Sequence, residues 1–160
     1  MQDAQGSVKN ALQTYFGYSQ FLDGQEAVIK DVLSGKHVVV VRPTGGGKSL
    51  CYQLPAVCTQ KLTLVVCPLI SLMNDQVAEL KRRGIRAEQL NSAQSLAQRI
   101  EVERELNEGL LRLLYISPER FTRPQFQRLM NRMDIGLIAI DEAHCISEWG
   151  HDFRPDYRLI

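Results

Sequence analysis

Arg42-Pro43-Thr44-Gly45-Gly46-Gly47-Lys48-Ser49 follows directly on the β-branched run His37-Val38-Val39-Val40-Val41 and opens into Leu50-Cys51-Tyr52-Gln53-Leu54. A run that is apolar on both faces suits a strand buried in the middle of a parallel sheet. The glycines let backbone N–H groups turn inward around phosphate oxygens, and a helix starting at this point aims its positive end at them. Thr44, Gly45, Gly46, Gly47, Lys48 and Ser49 are therefore candidate phosphate-cradling residues. Lys48 would reach the β- and γ-phosphates of a nucleotide, and the Ser49 hydroxyl would ligate Mg²⁺. The strict pattern has Gly where Arg42 stands, so this is a variant loop. The bland alternative is a glycine hairpin turn, disfavoured because strand, Gly-Lys-Ser and helix occur together.

Outward from the loop the period of the sequence alternates. Ser7 to Phe16 carries Val8, Leu12 and Tyr15 at helical spacing and is closed by Gly17. Asp23 reads as the N-cap of a second helix, with Glu26 three residues on and a stripe of Ala27, Val28, Val32 and Leu33. After the loop come a strand from Leu62 to Cys67, a helix from Ile70 to Arg83 stopped by Gly84, and a short strand from Arg86 to Leu90. A helix from Leu96 to Glu108 stopped by Gly109, a strand from Arg112 to Ile116, a helix from Gln125 to Arg132 with Phe126, Leu129 and Met130 inward, and a strand from Leu137 to Ile140 complete it. Strands alternating with helices predict an α/β domain with a parallel sheet and helices on both faces. No repeat or linker interrupts residues 1–160, which read as a single domain.

Leu137-Ile138-Ala139-Ile140 ends in Asp141-Glu142-Ala143-His144. A strand that delivers adjacent acids to its C-terminal end places them at the sheet edge where ligands of open α/β folds bind. Asp141 would join Ser49 in holding Mg²⁺, and Glu142 would orient and deprotonate an attacking water. Lys48, Asp141, Glu142 and His144 are the candidate catalytic set. A solvated acidic turn is the alternative reading of the acids taken alone.

The next stretch, Ser147-Glu148-Trp149-Gly150-His151-Asp152-Phe153-Arg154, interleaves aromatic rings with His and Arg. Aromatic faces stack on unpaired bases and Arg meets phosphates, so Ser147, Trp149, His151, Phe153 and Arg154 are candidate single-strand DNA contacts. A core-anchoring loop with Trp149 and Phe153 buried is the alternative. Lys81-Arg82-Arg83, with Arg86, is the densest positive cluster and reads as a helix C-terminus facing water.

Composition narrows the classes. The 160 residues carry 19 Lys+Arg against 18 Asp+Glu, a formal net charge of +1, and 44% hydrophobic residues. That suffices for a sizeable core and removes the strongly basic signature of a nucleic-acid coating protein, so contact with DNA must come from local charge. The polar start Met1-Gln2-Asp3-Ala4 has no secretory pattern, and the longest apolar stretch, Leu62 to Met73, falls short of the roughly 20 residues of a membrane span. An intracellular protein without a membrane partner is expected. Cys51, Cys58, Cys67 and Cys145 lack paired spacing and read as reduced core or near-site thiols, not as a zinc site.

Several blocks in this order resemble the first motor lobe of the RecQ-family DNA helicases, within the second helicase superfamily. They are Tyr15-Phe16-Gly17-Tyr18 through Gln25, Pro43 to Ser49, Cys67-Pro68-Leu69-Ile70-Ser71-Leu72-Met73-Asn74-Asp75-Gln76, Tyr115-Ile116-Ser117-Pro118-Glu119-Arg120, and Asp141 through Tyr157. Asp-Glu-Ala-His is shared with RNA helicases; Trp149-Gly150-His151-Asp152-Phe153-Arg154-Pro155 makes the likeness specific to RecQ.

The resemblance implies a RecA-like P-loop NTPase lobe that uses ATP and Mg²⁺ and moves 3′ to 5′ on DNA in repair and recombination, in the cytoplasm if bacterial. It implies that Gln25 reads the adenine edge and Tyr18 stacks on the ring, where the family usually has Arg in place of Leu22. It implies that the segments after Pro68 and Pro118 track the DNA backbone. It also implies a further strand between the phosphate-loop strand and the Asp141 strand, so that the sheet is incomplete at its C-terminal side, and a second lobe, zinc-binding and winged-helix modules beyond Ile160. Losing the arginine finger of a second lobe typically removes about 10³ to 10⁵ in rate, so little hydrolysis is expected of the chain alone. Other readings are a truncated Mg-ATP or DNA-binding module without catalysis, and an RNA-directed lobe of the superfamily. Nothing in the sequence sets the oligomeric state.

Overall fold

The structure, a computed structural model, describes residues 8–43, 45–59, 61–147 and 154–160. A helical stretch α1 (8–16), whose last turn Leu12–Phe16 is π-wound, is closed by Gly17 at φ 73°. There follow α2 (Gln25–Leu33), α3 (Leu50–Cys58), β1 (Leu62–Val66), α4 (Ile70–Arg82), β2 (Ala87–Leu90) and α5 (Leu96–Asn107). The rest of the chain forms β3 (Leu113–Ile116), the short α6 (Pro118–Phe121), α7 (Pro124–Met130) and β4 (Ile135–Ile140). The four strands pair in parallel in the order β2-β3-β1-β4, with Leu64 opposite both Leu114 and Ile138.

Successive strand residues point to opposite faces, and the sheet is dressed on both sides accordingly. Val65, Leu113, Tyr115 and Ala87 join Leu12, Ile29, Leu54, Met73 and Leu80 in one core under α1 to α4. Leu64, Val66, Leu114, Ile116 and Leu90 join Val102, Leu106 and Phe126 in the other, under α5 and α7. The α/β expectation of helices on both faces thus holds. The helix stops predicted at Gly84 and Gly109 are present, both at positive φ (74° and 66°). α5 also carries a capping box, with the Gln98 amide N–H on Ser95 Oγ and the Gln98 side chain on the Ser95 amide.

Three local expectations are corrected. Asp23 does not cap α2: Gly24, at φ 71°, takes that position, while the Asp23 carbonyl accepts from the Arg42 guanidinium. The inward stripe of α2 is centred on Gln25 and Ile29, and Ala27 is exposed, because the helix is oriented by Gln25 reaching the phosphate loop. Finally, residues 37–41 are not a strand, and Val39 and Val41 are 90% and 91% exposed. A strand needs a hydrogen-bonding neighbour. Among the described residues this segment pairs with no strand: the sheet runs β2-β3-β1-β4 without it, and β4 stands at an edge with Ile138 and Ile140 exposed on the face they share with Leu64 and Val66.

The cysteines are free thiols, with Cys51, Cys67 and Cys145 buried. Burial pushes the Cys67 thiol up to about 11, which keeps it protonated and unreactive at neutral pH. Among the described residues no helix is long and apolar enough to cross a membrane.

Candidate nucleotide site

The loop before α3 is braced from both ends. Arg42, the residue that departs from the strict motif, donates to the Gly46 carbonyl (3.2 Å) and to the Asp23 carbonyl, tying the loop to the entry of α2. Lys48 Nζ donates to the Arg42 carbonyl (3.1 Å). Gln25 is 2% exposed; its Nε2 donates to the Gly47 carbonyl (2.9 Å) and its Oε1 accepts from the Leu22 amide (2.7 Å). Both ends of the Gln25 amide are therefore engaged inside the protein. Tyr18 and Leu22 lie exposed on the adjoining segment. Thr44 lies outside the described residues.

Gly45 and Gly47 adopt φ 77° and 72°, the region open chiefly to glycine. A Cβ at Gly47 would lie 2.3 Å from Gln25 Nε2, whereas at Gly45 nothing lies within 4 Å. Gly47→Ala is accordingly expected to destabilise by roughly 2–4 kcal/mol, left-handed strain plus a displaced buried hydrogen bond. Gly45→Ala carries only the strain, roughly 1 kcal/mol. Urea unfolding of the two variants checks the difference.

At the carboxyl edge of the sheet, Asp141 continues the β4 ladder through its amide to the Val66 carbonyl (2.9 Å) and is 7% exposed. Its Oδ1 accepts from the Glu142 amide (3.0 Å) and its Oδ2 from Tyr52 Oη (3.1 Å). Glu142 has φ 51°, the sole positive φ outside glycine among the described residues. Glu142 Oε2 lies 3.2 Å from His144 Nδ1.

A polar network missed in the sequence joins the two halves. Tyr52 and Gln53 of α3, Gln76 of α4 and Tyr115 of β3 hydrogen-bond to one another, and Gln76 Nε2 reaches Ser49 Oγ at 3.5 Å. Burial, then the neighbouring Tyr115 and Asp141, push the Tyr52 hydroxyl well up, so it remains a proton donor. No local signal announces this set, since its members converge from three elements.

Of the aromatic segment, Trp149, His151 and Phe153 lie outside the described residues. Ser147 is exposed at its start, and at its end the Arg154 amide donates to the Cys145 carbonyl (2.9 Å). Tyr157, 3% exposed, donates to the Asp141 carbonyl (2.8 Å). Arg154 and Tyr157 are thus held to the acidic strand end. Lys81 pairs with Glu88 and Arg82 with Glu79 at the exposed helix end expected, but Arg83 departs from that expectation: besides pairing with Glu79 it donates to the Phe16 carbonyl (2.8 Å) and lies over the Phe16 ring, tying α4 to α1.

A different basic group is built beyond β3. Burial first, then the charges of Arg99 and Arg123, hold the Arg120 guanidinium below the usual arginine range. The buried Nε atoms of Arg99 and Arg120 find no hydrogen-bond partner among the described residues.

The family model for DEAD/DEAH box helicases matches residues 23–160, from the entry of α2 through the Asp141 turn to the end of the chain. The chain belongs to the DEAD/DEAH box helicase family. Among curated relatives, this helicase chain is 53% identical over 151 residues to the ATP-dependent DNA helicase RecQ of Haemophilus influenzae, matching 94% of the chain and 24% of the relative. It is 49% identical to that of Bacillus subtilis, over 95% of the chain and 26% of the relative. It spans about a quarter of the length of these relatives. Its fold is similar to that of the DUF1998 helicase MrfA, with a TM-score of 0.70 at 24% identity over 87% of this chain and 23% of that one.

Proposed function

We propose that this chain is the ATP-binding lobe of a 3′ to 5′ DNA helicase of the RecQ type. One observation carries the reading. The glycine loop with Lys48 and Ser49 and the Asp141-Glu142 turn meet at one sheet edge, linked through Gln76 and Tyr52. The donor set suits Mg-ATP: Mg²⁺ is commonly held by one or two carboxylates plus phosphate oxygens and water, and Asp141 with Ser49 supplies the protein's share. Bound there, Mg²⁺ would neutralise charge on the β- and γ-phosphates. Lys48 adds a cation to the same oxygens, Glu142 takes the proton of the attacking water, and His144 orients Glu142. Tyr18 lies against the adenine and Gln25, clamped to Gly47, relates the base side to the loop.

DNA is the proposed polymer partner. The aromatic segment from Ser147 to Arg154 contacts single strands, and the part-buried Arg99 and Arg120 with the exposed Arg123 group guanidinium donors suited to a phosphate. Arg120→Ala in the full-length helicase is expected to weaken single-stranded DNA binding about equally for all sequences and to reduce the log–log salt slope by about 1. Fluorescence anisotropy at several salt concentrations measures both. An unchanged slope would remove Arg120 from the DNA path.

The reading as a whole is tested by titrating a fluorescent ATP analogue into the chain with and without Mg²⁺. Saturable, Mg²⁺-strengthened binding supports it. Absence of binding, with the fold intact by circular dichroism, would overturn it.

A further inference from the structure

Gln76 lies on α4, which carries none of the proposed nucleotide residues, yet its amide joins them. Its Oε1 is 3.0 Å from Tyr52 Oη, 3.0 Å from Gln53 Nε2 and 2.8 Å from Tyr115 Oη, while its Nε2 points to Ser49 Oγ at 3.5 Å. An amide oxygen has two lone pairs, so three donors oversubscribe it. Tyr52 is the member with a second choice, since Asp141 Oδ2 lies 3.1 Å away and Tyr52 has one proton to give. With Asp141 bare, the Tyr52 hydroxyl donates to the carboxylate, because hydrogen bonds to charged groups are the stronger ones. Gln76 then serves Gln53 and Tyr115 alone. When a cation takes up the Asp141 charge, the Tyr52 proton is released toward Gln76. The two tyrosines are 9% and 0% exposed, so water offers little substitute for either partner.

We propose that Gln76 and Tyr52 are positioning residues for the cation-holding pair. Through them α4 keeps the Ser49 hydroxyl and the Asp141 carboxylate in mutual register, and cation binding is coupled to the placement of α4. This rests on the reading of Ser49 and Asp141 as the Mg-nucleotide ligands. The residues do not touch the nucleotide. Their loss therefore changes the requirement for the cation and not the affinity for the nucleotide itself.

The test is a Mg²⁺ titration of fluorescent ATP-analogue binding by the chain, in the unsubstituted form and in Tyr52→Phe and Gln76→Met, with a parallel titration in EDTA. Partners that orient metal ligands typically account for 10- to 100-fold in metal affinity, so the half-saturating Mg²⁺ concentration is expected to rise about 10-fold in each variant. Binding in EDTA is expected to stay within about twofold, and the double variant to need no more Mg²⁺ than the worse single, since both interrupt one path. If Gln76→Met unfolds, Tyr52→Phe, which removes one oxygen atom, carries the test alone. Equal loss with and without Mg²⁺ would mean a merely structural role and overturn the proposal. So would an unmoved Mg²⁺ requirement in a chain that binds nucleotide in a Lys48-dependent way, which leaves the nucleotide reading standing. Failure of the unsubstituted chain to bind would overturn that reading, and this proposal with it.

Discussion

Lys48→Ala is expected to weaken binding of a Mg-ATP analogue by the chain on the order of 10²-fold, since hydrogen bonds to charged groups contribute about 1.5–3 kcal/mol and Lys48 would serve two phosphates. The half-buried ammonium donates to the Arg42 carbonyl at 3.1 Å, a weak neutral partner within its own loop. Exchanging that carbonyl for phosphate oxygens is favourable because it replaces a dipole with charge. The substitution leaves the fold nearly untouched, since the braces from Arg42 to Gly46 and from Gln25 to Gly47 do not pass through Lys48. Analogue titration measures the loss and thermal melting the intact fold. Undiminished affinity would remove the loop from the nucleotide site.

The second large effect belongs to Glu142. On the proposed reading, Glu142→Gln in a protein that joins this lobe to a second one is expected to lower DNA-stimulated phosphate release by about 10²- to 10⁴-fold, the usual range for a positioned general base, with ATP-analogue affinity retained. The isosteric amide keeps the left-handed backbone at φ 51° and the amide hydrogen bond to Asp141, and removes only the ability to take a proton. Asp141 is placed differently: it is buried and accepts from Tyr52, and the role proposed for it is to hold a cation. Separate assays of binding and turnover therefore distinguish the two acids. Full turnover by the Glu142→Gln variant would place the base elsewhere.

What could be read from the sequence was what is encoded locally. Apolar runs closed by turns marked β1, β3 and β4 to within about two residues, and Gly84 and Gly109 marked two helix ends because each needs a positive φ there. The glycine loop before α3 was legible for the same reason, its turn residues being consecutive. Residues 37–41 were misread because alternation and branching report only that a segment could pair, while pairing depends on what lies beside it. Asp23 has the composition of a cap, but Arg42, nineteen positions away, takes its carbonyl, and that is a tertiary event. In the sequence Gln76 only closes the block that begins at Cys67. Its meaning lies in Tyr52, Gln53 and Tyr115 arriving from other elements, which no spacing within α4 discloses.

The strand order also fixes a sequence of events in time. β1 pairs with β3 and β4, and Leu64 must wait for Leu114 and then Ile138 to be synthesised before either ladder can close. Loop-closure entropy has to be met before such distant contacts reward it, which makes parallel sheets slow to form and exposed to misassociation while they do. Among the described strands β4 arrives last, and it is an edge strand with Ile138 and Ile140 exposed on one face. An apolar edge of this kind is a template for another chain, so the nascent polypeptide is most vulnerable to aggregation in the interval when β1 is made and β4 is still unpaired.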